Sequence, residues 1–299
     1  MQQVPRILII GKNSFIGKNF REYSRHSLVD EVDAKAIKPE ELDFEGYDVV
    51  LHLAALVHQS TSIGWEEYAR VNTKLPIDMA IKAKMAGVEQ FIFMSTSKVY
   101  GKYNPAIGSW TENSPCNPTN FYGISKRQAE VELAKLNDRS FNVSIIRTPM
   151  VYGKGVKANM LSLIKLVDRI PVLPFKGIHN RRSLTFVGNL AAFIDRIIEL
   201  NAKGVFIAMD SYSPSMEELV HSIAVSLGKR PKLFYPGNLA LNLSKKIFSG
   251  YYDRLYSDEV LDNTNTLNLL SFTPPFNLDK GIKETVDFYL KSIGRRSYD

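Results

Sequence analysis

Cysteine is nearly missing: Cys116 is the only one in 299 residues. A single thiol excludes an internal disulfide and suits a reducing compartment. Long apolar runs are missing too. No stretch approaches the roughly 18 residues that cross a bilayer, so no integral membrane segment is expected. The first apolar run, Val4 to Ile10, is short and ends in a glycine turn. It lacks the layout of a signal peptide, and a cytoplasmic location is the expectation. No internal repeat or low-complexity linker divides the chain. Basic residues form no stripe interleaved with aromatics, so nucleic acid is not an expected partner.

What is present is ordinary in amount. Hydrophobic residues are 44% and charged residues 23%, values of a globular chain long enough for two domains. The formal net charge of +7 favours an anionic partner without naming it.

Order along the chain is more informative. Arg6-Ile7-Leu8-Ile9-Ile10 reads as a strand buried on both faces. It enters Gly11-Lys12-Asn13-Ser14-Phe15-Ile16-Gly17 and then a helix, Lys18 to Ser24. Strand, glycine turn and helix amino terminus make an anion site, because backbone N–H groups and the helix dipole point at the ligand. Gly11, Ser14 and Gly17 follow a Gly-x-x-Gly-x-x-Gly dinucleotide fingerprint with serine in the middle place. That serine adds a Cβ where the backbone would approach a pyrophosphate; its hydroxyl could donate to a phosphate instead. The next strand ends near Val32-Asp33-Ala34-Lys35. Asp33 suits the ribose hydroxyls of NAD and Lys35 the 2′-phosphate of NADP, so the tip leaves the choice open.

Tyr47 to Ala55 is another buried strand, ending in Leu53-Ala54-Ala55, whose small residues admit a flat ring. His52 and His58 flank that end and read as packing or capping groups. A helix through Val71-Asn72-Thr73 to Ala86 follows, then a strand, Gln90 to Met94, a helix from Tyr122 to Leu136, and a strand, Asn142 to Ile146. Strands alternating with helices indicate an α/β fold with a doubly wound parallel sheet. Gly11, Ala54, Thr96 and Arg147-Thr148-Pro149 all fall at carboxyl ends of strands, where such sheets bind ligands.

Between Phe93 and Lys126 lies the chemistry. Tyr122 and Lys126 are four residues apart and share a helix face. An ammonium beside a phenol lowers its pKa, and Thr96 could hold a substrate oxygen against it, the layout of a general acid/base. With 14 tyrosines in the chain, about one Tyr-x-x-x-Lys arises by chance, so the pair means little without its setting.

Beyond Tyr152-Gly153-Lys154-Gly155 the texture changes. Val156 to Arg169 reads as a helix, and Ile170 to Phe175 is too proline-broken for a central strand. Leu184 to Val187, a helix from Leu190 to Asn201 and a strand from Val205 to Met209 return to the sheet. Ser215 caps a helix with an apolar face as far as Leu227. The partition expected is a dinucleotide-binding unit of residues 1–153 with 183–212 returning to it, and a substrate unit of 154–182 and 213–299.

With these residues placed, the chain resembles the extended short-chain dehydrogenase/reductases, the group of nucleotide-sugar epimerases, dehydratases and ketoreductases. The matching motifs are Gly11 to Gly17, His52 to Ala55, Val71-Asn72, Ser95-Thr96 with Val99-Tyr100-Gly101, Tyr122 to Lys126, and Arg147 to Gly153. The resemblance implies a Rossmann-type sheet with a smaller carboxyl-terminal substrate domain. It makes Tyr122 the acid/base, Lys126 the ribose ligand, Thr96 the holder of the substrate oxygen, and Asn72 a structural or relay residue. Gly11, Asn13, Ser14, Phe15, Ile16, Gly17, Asp33, Lys35, Leu53, Ala54, Ala55, Ser95 and Pro149 would line an NAD(P) site with Tyr122 and Lys126. No metal is expected. Thr96, Ser97, Asn159, Val172, Phe175, Arg182 and Arg254 would hold a UDP-sugar, with Arg182 on its phosphate. A homodimer using the Tyr122 helix is a further expectation.

Sugar 4,6-dehydratases carry Asp-Glu directly after the catalytic threonine; here Ser97 and Lys98 stand there, which speaks against dehydration. Ketone reduction or epimerisation at C4 remains. Gly155 to Asn159, Asn180 to Leu184 and Phe272 to Pro275 look most like enzymes reducing UDP-4-keto-6-deoxy-N-acetylhexosamines for surface polysaccharide, which places reduction first, with NADPH. A UDP-glucose or UDP-N-acetylglucosamine 4-epimerase with bound NAD is the alternative. An epimerase of a lipid-linked sugar, with Leu239 to Phe248 on the bilayer, and a non-catalytic dinucleotide sensor stand further off.

Overall fold

The structure is a computed structural model that describes residues 4–34, 41–57, 63–103, 106, 108–237, 246 and 256–298. Lys35, His58, Arg254 and nearly all of 239–248 lie outside them. Six strands form the main sheet: β1 (Ile7–Ile10), β2 (Val29–Val32), β3 (Val49–His52), β4 (Gln90–Met94), β5 (Asn142–Arg147) and, after two strands of a side sheet, a last one at Gly204–Ile207. Their order is β2-β1-β3-β4-β5 followed by that last strand, with every pairing parallel. Ile7 to Ile10 are all buried, as a strand covered on both faces requires. The chain is Rossmann-like α/β.

Helices cover both faces. On one, α1 (Phe15–Tyr23) and a helix at Val187–Glu199 pack with Ile7, Ile9, Leu51 and Ile146. On the other, a helix at Leu75–Met85 and one at Phe121–Ala134 pack with Leu8, Ile10, Val50 and Phe93. In chain order these are α2 (Trp65–Tyr68), α3 (Leu75–Met85), α4 (Phe121–Ala134), α5 (Ala158–Arg169) and α6 (Val187–Glu199). Between α2 and α3 the helix runs through a π segment, Ala69–Lys74, a widened turn that often marks functional sites.

A third cluster joins α5, α7 (Met216–Ser226) and the final helix α9 (Leu278–Ser292), with Tyr152, Phe175 and Phe186 inside it. Ser215 and Glu218 make a reciprocal capping box at the start of α7. The proline-broken stretch supplies only the two-residue strand β7 (Val172–Leu173). Two helices, α8 (Thr264–Leu270) and α9, occupy a region whose sequence reads as mixed. The α9 cap is Asn277, which accepts from the Lys280 N–H at 2.9 Å.

The chain leaves β1 for β2 on one side and then supplies β3 on the other. This switch opens a crevice at the carboxyl ends of β1 and β3, where doubly wound sheets take ligands. Gly11 follows β1 there with φ of +130°, and a Cβ on it would lie 3.0 Å from the Ala54 backbone nitrogen. Only glycine lets the two strand ends approach this closely.

Candidate active site

The amino end of α1 faces the crevice. Ser14 caps it, its hydroxyl accepting from the Gly17 N–H at 3.1 Å. One amide of the phosphate turn is therefore satisfied internally, although the hydroxyl hydrogen stays available to a ligand. Phe15 and Ile16 turn their side chains onto the cores and contribute backbone at the helix start. The Asn13 amide donates to the Glu31 carboxylate at 3.2 Å. Glu31 projects from β2 and places an acid beside the turn; Arg21 reaches it at only 3.9 Å. Glu31 was not among the expected site residues, because a charged residue inside a strand reads as an edge position. A close backbone floor at Gly11 and Ala54, a helix amino terminus, and acids at the adenosine end fit a dinucleotide.

At the other end of the crevice, Asn120 caps α4 by accepting from the Gly123 N–H at 2.8 Å. A Cβ on Gly123 would meet the Lys98 carbonyl at 2.6 Å, so α4 rests on the 3-10 turn Ser97–Tyr100. That contact brings Tyr122, in the first turn of α4, to the end of β4. The Tyr122 hydroxyl lies close enough to the Thr96 side chain for that neighbour to pull its pKa down. Thr96 Oγ1 also accepts from the Lys98 N–H at 3.2 Å.

The electrostatics differ from the expectation of a phenol lowered by its lysine. Tyr122 is half-buried as a residue. Burial pushes its phenol up to about 12, against a smaller downward pull from the neighbouring Thr96 side chain. Burial also pushes Lys126 down to about 7, with Glu130 opposing. The Lys126 ammonium donates to the Met94 carbonyl at 2.8 Å and lies 4.3 Å from the Phe93 ring centroid. For both groups desolvation outweighs pairing.

Other predicted residues are placed behind the site. Asn72, fully buried in the π segment, accepts from the Leu56 N–H at 2.7 Å and donates to the Leu56 carbonyl at 2.9 Å and to the Ser125 hydroxyl at 3.1 Å. It clamps the loop after β3 to α4, a structural task. Ser95 turns its hydroxyl inward to Glu130 at 2.6 Å. Glu130 in turn holds Arg147 through bonds of 3.0 and 2.7 Å, and Arg147 reaches the Tyr100 hydroxyl at 3.1 Å. This buried network fixes the ends of β4 and β5 and the Ser97–Tyr100 turn to α4. Pro149 is buried after β5. His52 is completely buried between Phe91 and Phe93, and burial pushes it down to about 3. It is a neutral core group, as the packing reading expects.

Of the substrate-side residues, Ser97 and Arg182 meet on one carboxylate, and Asn159, Val172 and Phe175 do not join them. Ser97 donates to Glu259 at 2.7 Å, and Arg182 pairs with the same carboxylate at 3.1 Å. Asn159 is exposed at the start of α5, and Val172 is 45% exposed on β7. Phe175 is 1% exposed, its ring 5.8 Å from that of Tyr256. It is core, and it offers no open face to a base.

Residues 7–207 match the family described as the NAD dependent epimerase/dehydratase family. A "UDP-glucose 4-epimerase" of Vibrio cholerae is 33% identical over 98% of both chains. An "N-acetyl-alpha-D-glucosaminyl-diphospho-ditrans,octacis-undecaprenol 4-epimerase" of Escherichia coli O157:H7 is 25% identical over 94% of each. The structure of RMD from Pseudomonas aeruginosa complexed with NADPH superposes with a TM-score of 0.77 at 15% identity, covering 97% of this chain and 98% of that one. At that identity the superposition speaks for the fold. The chain belongs to the NAD-dependent epimerase/dehydratase family, the nucleotide-sugar branch of the extended short-chain dehydrogenase/reductases.

Proposed function

We propose that this chain interconverts the C4 epimers of a UDP-sugar with a retained NAD. The observation that carries the reading is the Tyr122–Thr96 hydroxyl pair at the end of β4, one helical turn from Lys126. Two features support epimerisation over the ketone reduction that motif texture favours. Two relatives aligned over 94% or more of the chain bear the names of 4-epimerases. Glu31 and Asp33 at the adenosine end would repel a 2′-phosphate, which favours NAD.

NAD, when bound, takes the C4 hydride and returns it. Thr96 holds the C4 oxygen, and Tyr122 removes the C4 hydroxyl proton and later restores it. Lys126, one turn further along α4, takes the ribose and supplies positive charge. Arg182 binds the diphosphate by its planar fork of donors. Units of 1–153 with 183–212, and of 154–182 with 213–299, divide cofactor from substrate, and the cleft between them takes the sugar. Exposed apolar residues on neighbouring helices, Ile81 and Met85 on α3 and Phe121 and Val131 on α4, support a homodimer through this face.

The test supplies the purified protein with UDP-N-acetylglucosamine or UDP-glucose without added cofactor, and separately a UDP-4-keto-6-deoxy-N-acetylhexosamine with NADPH. NMR follows the products. Interconversion in the first arm supports the epimerase. Stoichiometric NADPH consumption in the second assigns a reductase instead, and silence in both overturns the reading for these UDP-sugars and returns the dinucleotide sensor.

A further inference from the structure

Glu259 sits where three separate parts of the site meet. Its carboxylate accepts from the Ser97 hydroxyl at 2.7 Å and from Lys98 Nζ at 2.9 Å to each oxygen. Arg182 donates to it at 3.1 Å and to the Ser257 carbonyl at 2.9 Å. The Glu259 backbone is sewn in as well: its N–H donates to the Arg181 carbonyl at 2.9 Å, and its carbonyl accepts from Ser183 N–H at 2.8 Å. Beyond it, Val260 and Asp262 bond Trp110, whose ring stacks on Tyr100 at 5.2 Å and 15°. Segment 257–262 thus joins the Arg182 segment to the turn that follows Thr96.

The chemistry of this junction is asymmetric. One buried acid faces two cations, and 39% of the Lys98 side chain remains open to solvent against 16% of Arg182. A long arginine side chain loses much rotamer freedom when it binds an anion. Holding the guanidinium in advance lowers that cost, the general benefit of preorganisation. The same carboxylate braces the Ser97–Lys98 turn, whose Lys98 N–H is bonded to the Thr96 hydroxyl.

We propose that Glu259 is a positioning residue, which holds the Arg182 guanidinium ready for the substrate diphosphate and ties it to the turn bearing Thr96. The inference rests on the reading of Arg182 as a phosphate ligand under the proposed function. Glu259 touches neither substrate nor cofactor and acts through Arg182 and Lys98. In most carboxylate–arginine pairs near an anion site the acid competes with the ligand; here its backbone anchoring and its bonds to Ser97 and Lys98 make it a brace.

A double-mutant cycle tests this, with UDP as the probe and calorimetry as the readout. Wild type, Glu259→Gln, Arg182→Ala and the double variant are compared, with NAD binding measured alongside. Glu259→Gln is expected to weaken UDP binding about tenfold with NAD binding unchanged, and to cost nothing further in the Arg182→Ala background. The fold is guarded by a second cycle with Lys98→Met/Glu259→Gln, which removes acid and amine together and leaves less uncompensated charge. Additive losses of UDP affinity, or equal losses of UDP and NAD, would overturn the positioning role while leaving the functional reading intact. A wild-type chain that binds NAD but not UDP would refute the functional reading, and this inference with it.

Discussion

Lys126 donates to the Met94 carbonyl at 2.8 Å, tying the residue one turn after Tyr122 to the last residue of β4. The ammonium is thus anchored to the sheet, and its charge is destabilised by burial. Desolvation moves Tyr122 up and Lys126 down more than any pairing moves either of them.

That balance gives a stability prediction. Lys126 titrates near 7 in the folded chain, against 10.5 for an unperturbed lysine. Between these values the unfolded chain binds more protons, so stability rises with pH across that window and the penalty is complete below about 7. The full difference is on the order of 5 kcal/mol. Lys126→Met should therefore gain stability relative to wild type at pH 7, with the gain shrinking towards pH 10. Denaturant melts of both proteins across this range check it; a difference independent of pH would contradict it.

Tyr122→Phe should abolish turnover, by a factor of about 100 or more, and leave NAD and UDP binding near wild type. The substitution removes only the hydroxyl proposed to transfer the proton, while the ring keeps its packing. A companion observation concerns titration: with Tyr122 raised to about 12, wild type and Tyr122→Phe should show the same phenolate absorbance at pH 9. Turnover in the variant close to wild type would remove the acid/base assignment.

The Glu130–Arg147 pair is a matter of folding. Both side chains are at most 2% exposed, and deleting one partner strands the other. Arg147→Met should destabilise by about 3–5 kcal/mol, measured by chemical denaturation. Loss of less than 1 kcal/mol would show that the network is not holding the strand ends.

The sequence carried the alternation of strands and helices, and with it the parallel sheet, because continuous apolar runs such as Ile7 to Ile10 have few other uses. It carried the Tyr122 and Thr96 positions because a short motif keeps its register. It did not carry the partners of Ser97 and Lys98, since Glu259 stands more than 160 residues away and looks like any surface acid. Nor did it carry the state of Tyr122 and Lys126, which depends on how much water the finished fold excludes. Ser95 shows the same limit from the other side: a hydroxyl next to Thr96 reads as a ligand group, and only packing shows it turned to Glu130.

Glu31 bears on cofactor choice. Glu31→Gln with Asp33→Ser removes two acids from the adenosine end and should raise affinity for NADP by about tenfold or more relative to NAD. Fluorescence titration with NADH and NADPH reads the ratio, and an unchanged preference would show that the acids do not set it.

The proposed function stands on hydride leaving C4 and returning to the same carbon, with Tyr122 handling the proton. The direct measurement incubates the protein with UDP-N-acetylglucosamine or UDP-glucose deuterated at C4, in light water without added cofactor, and follows product by NMR. The expected product is the C4 epimer with its deuterium retained, and none from Tyr122→Phe. Epimer that has exchanged its C4 deuterium for solvent hydrogen, or undiminished conversion by Tyr122→Phe, would contradict the mechanism.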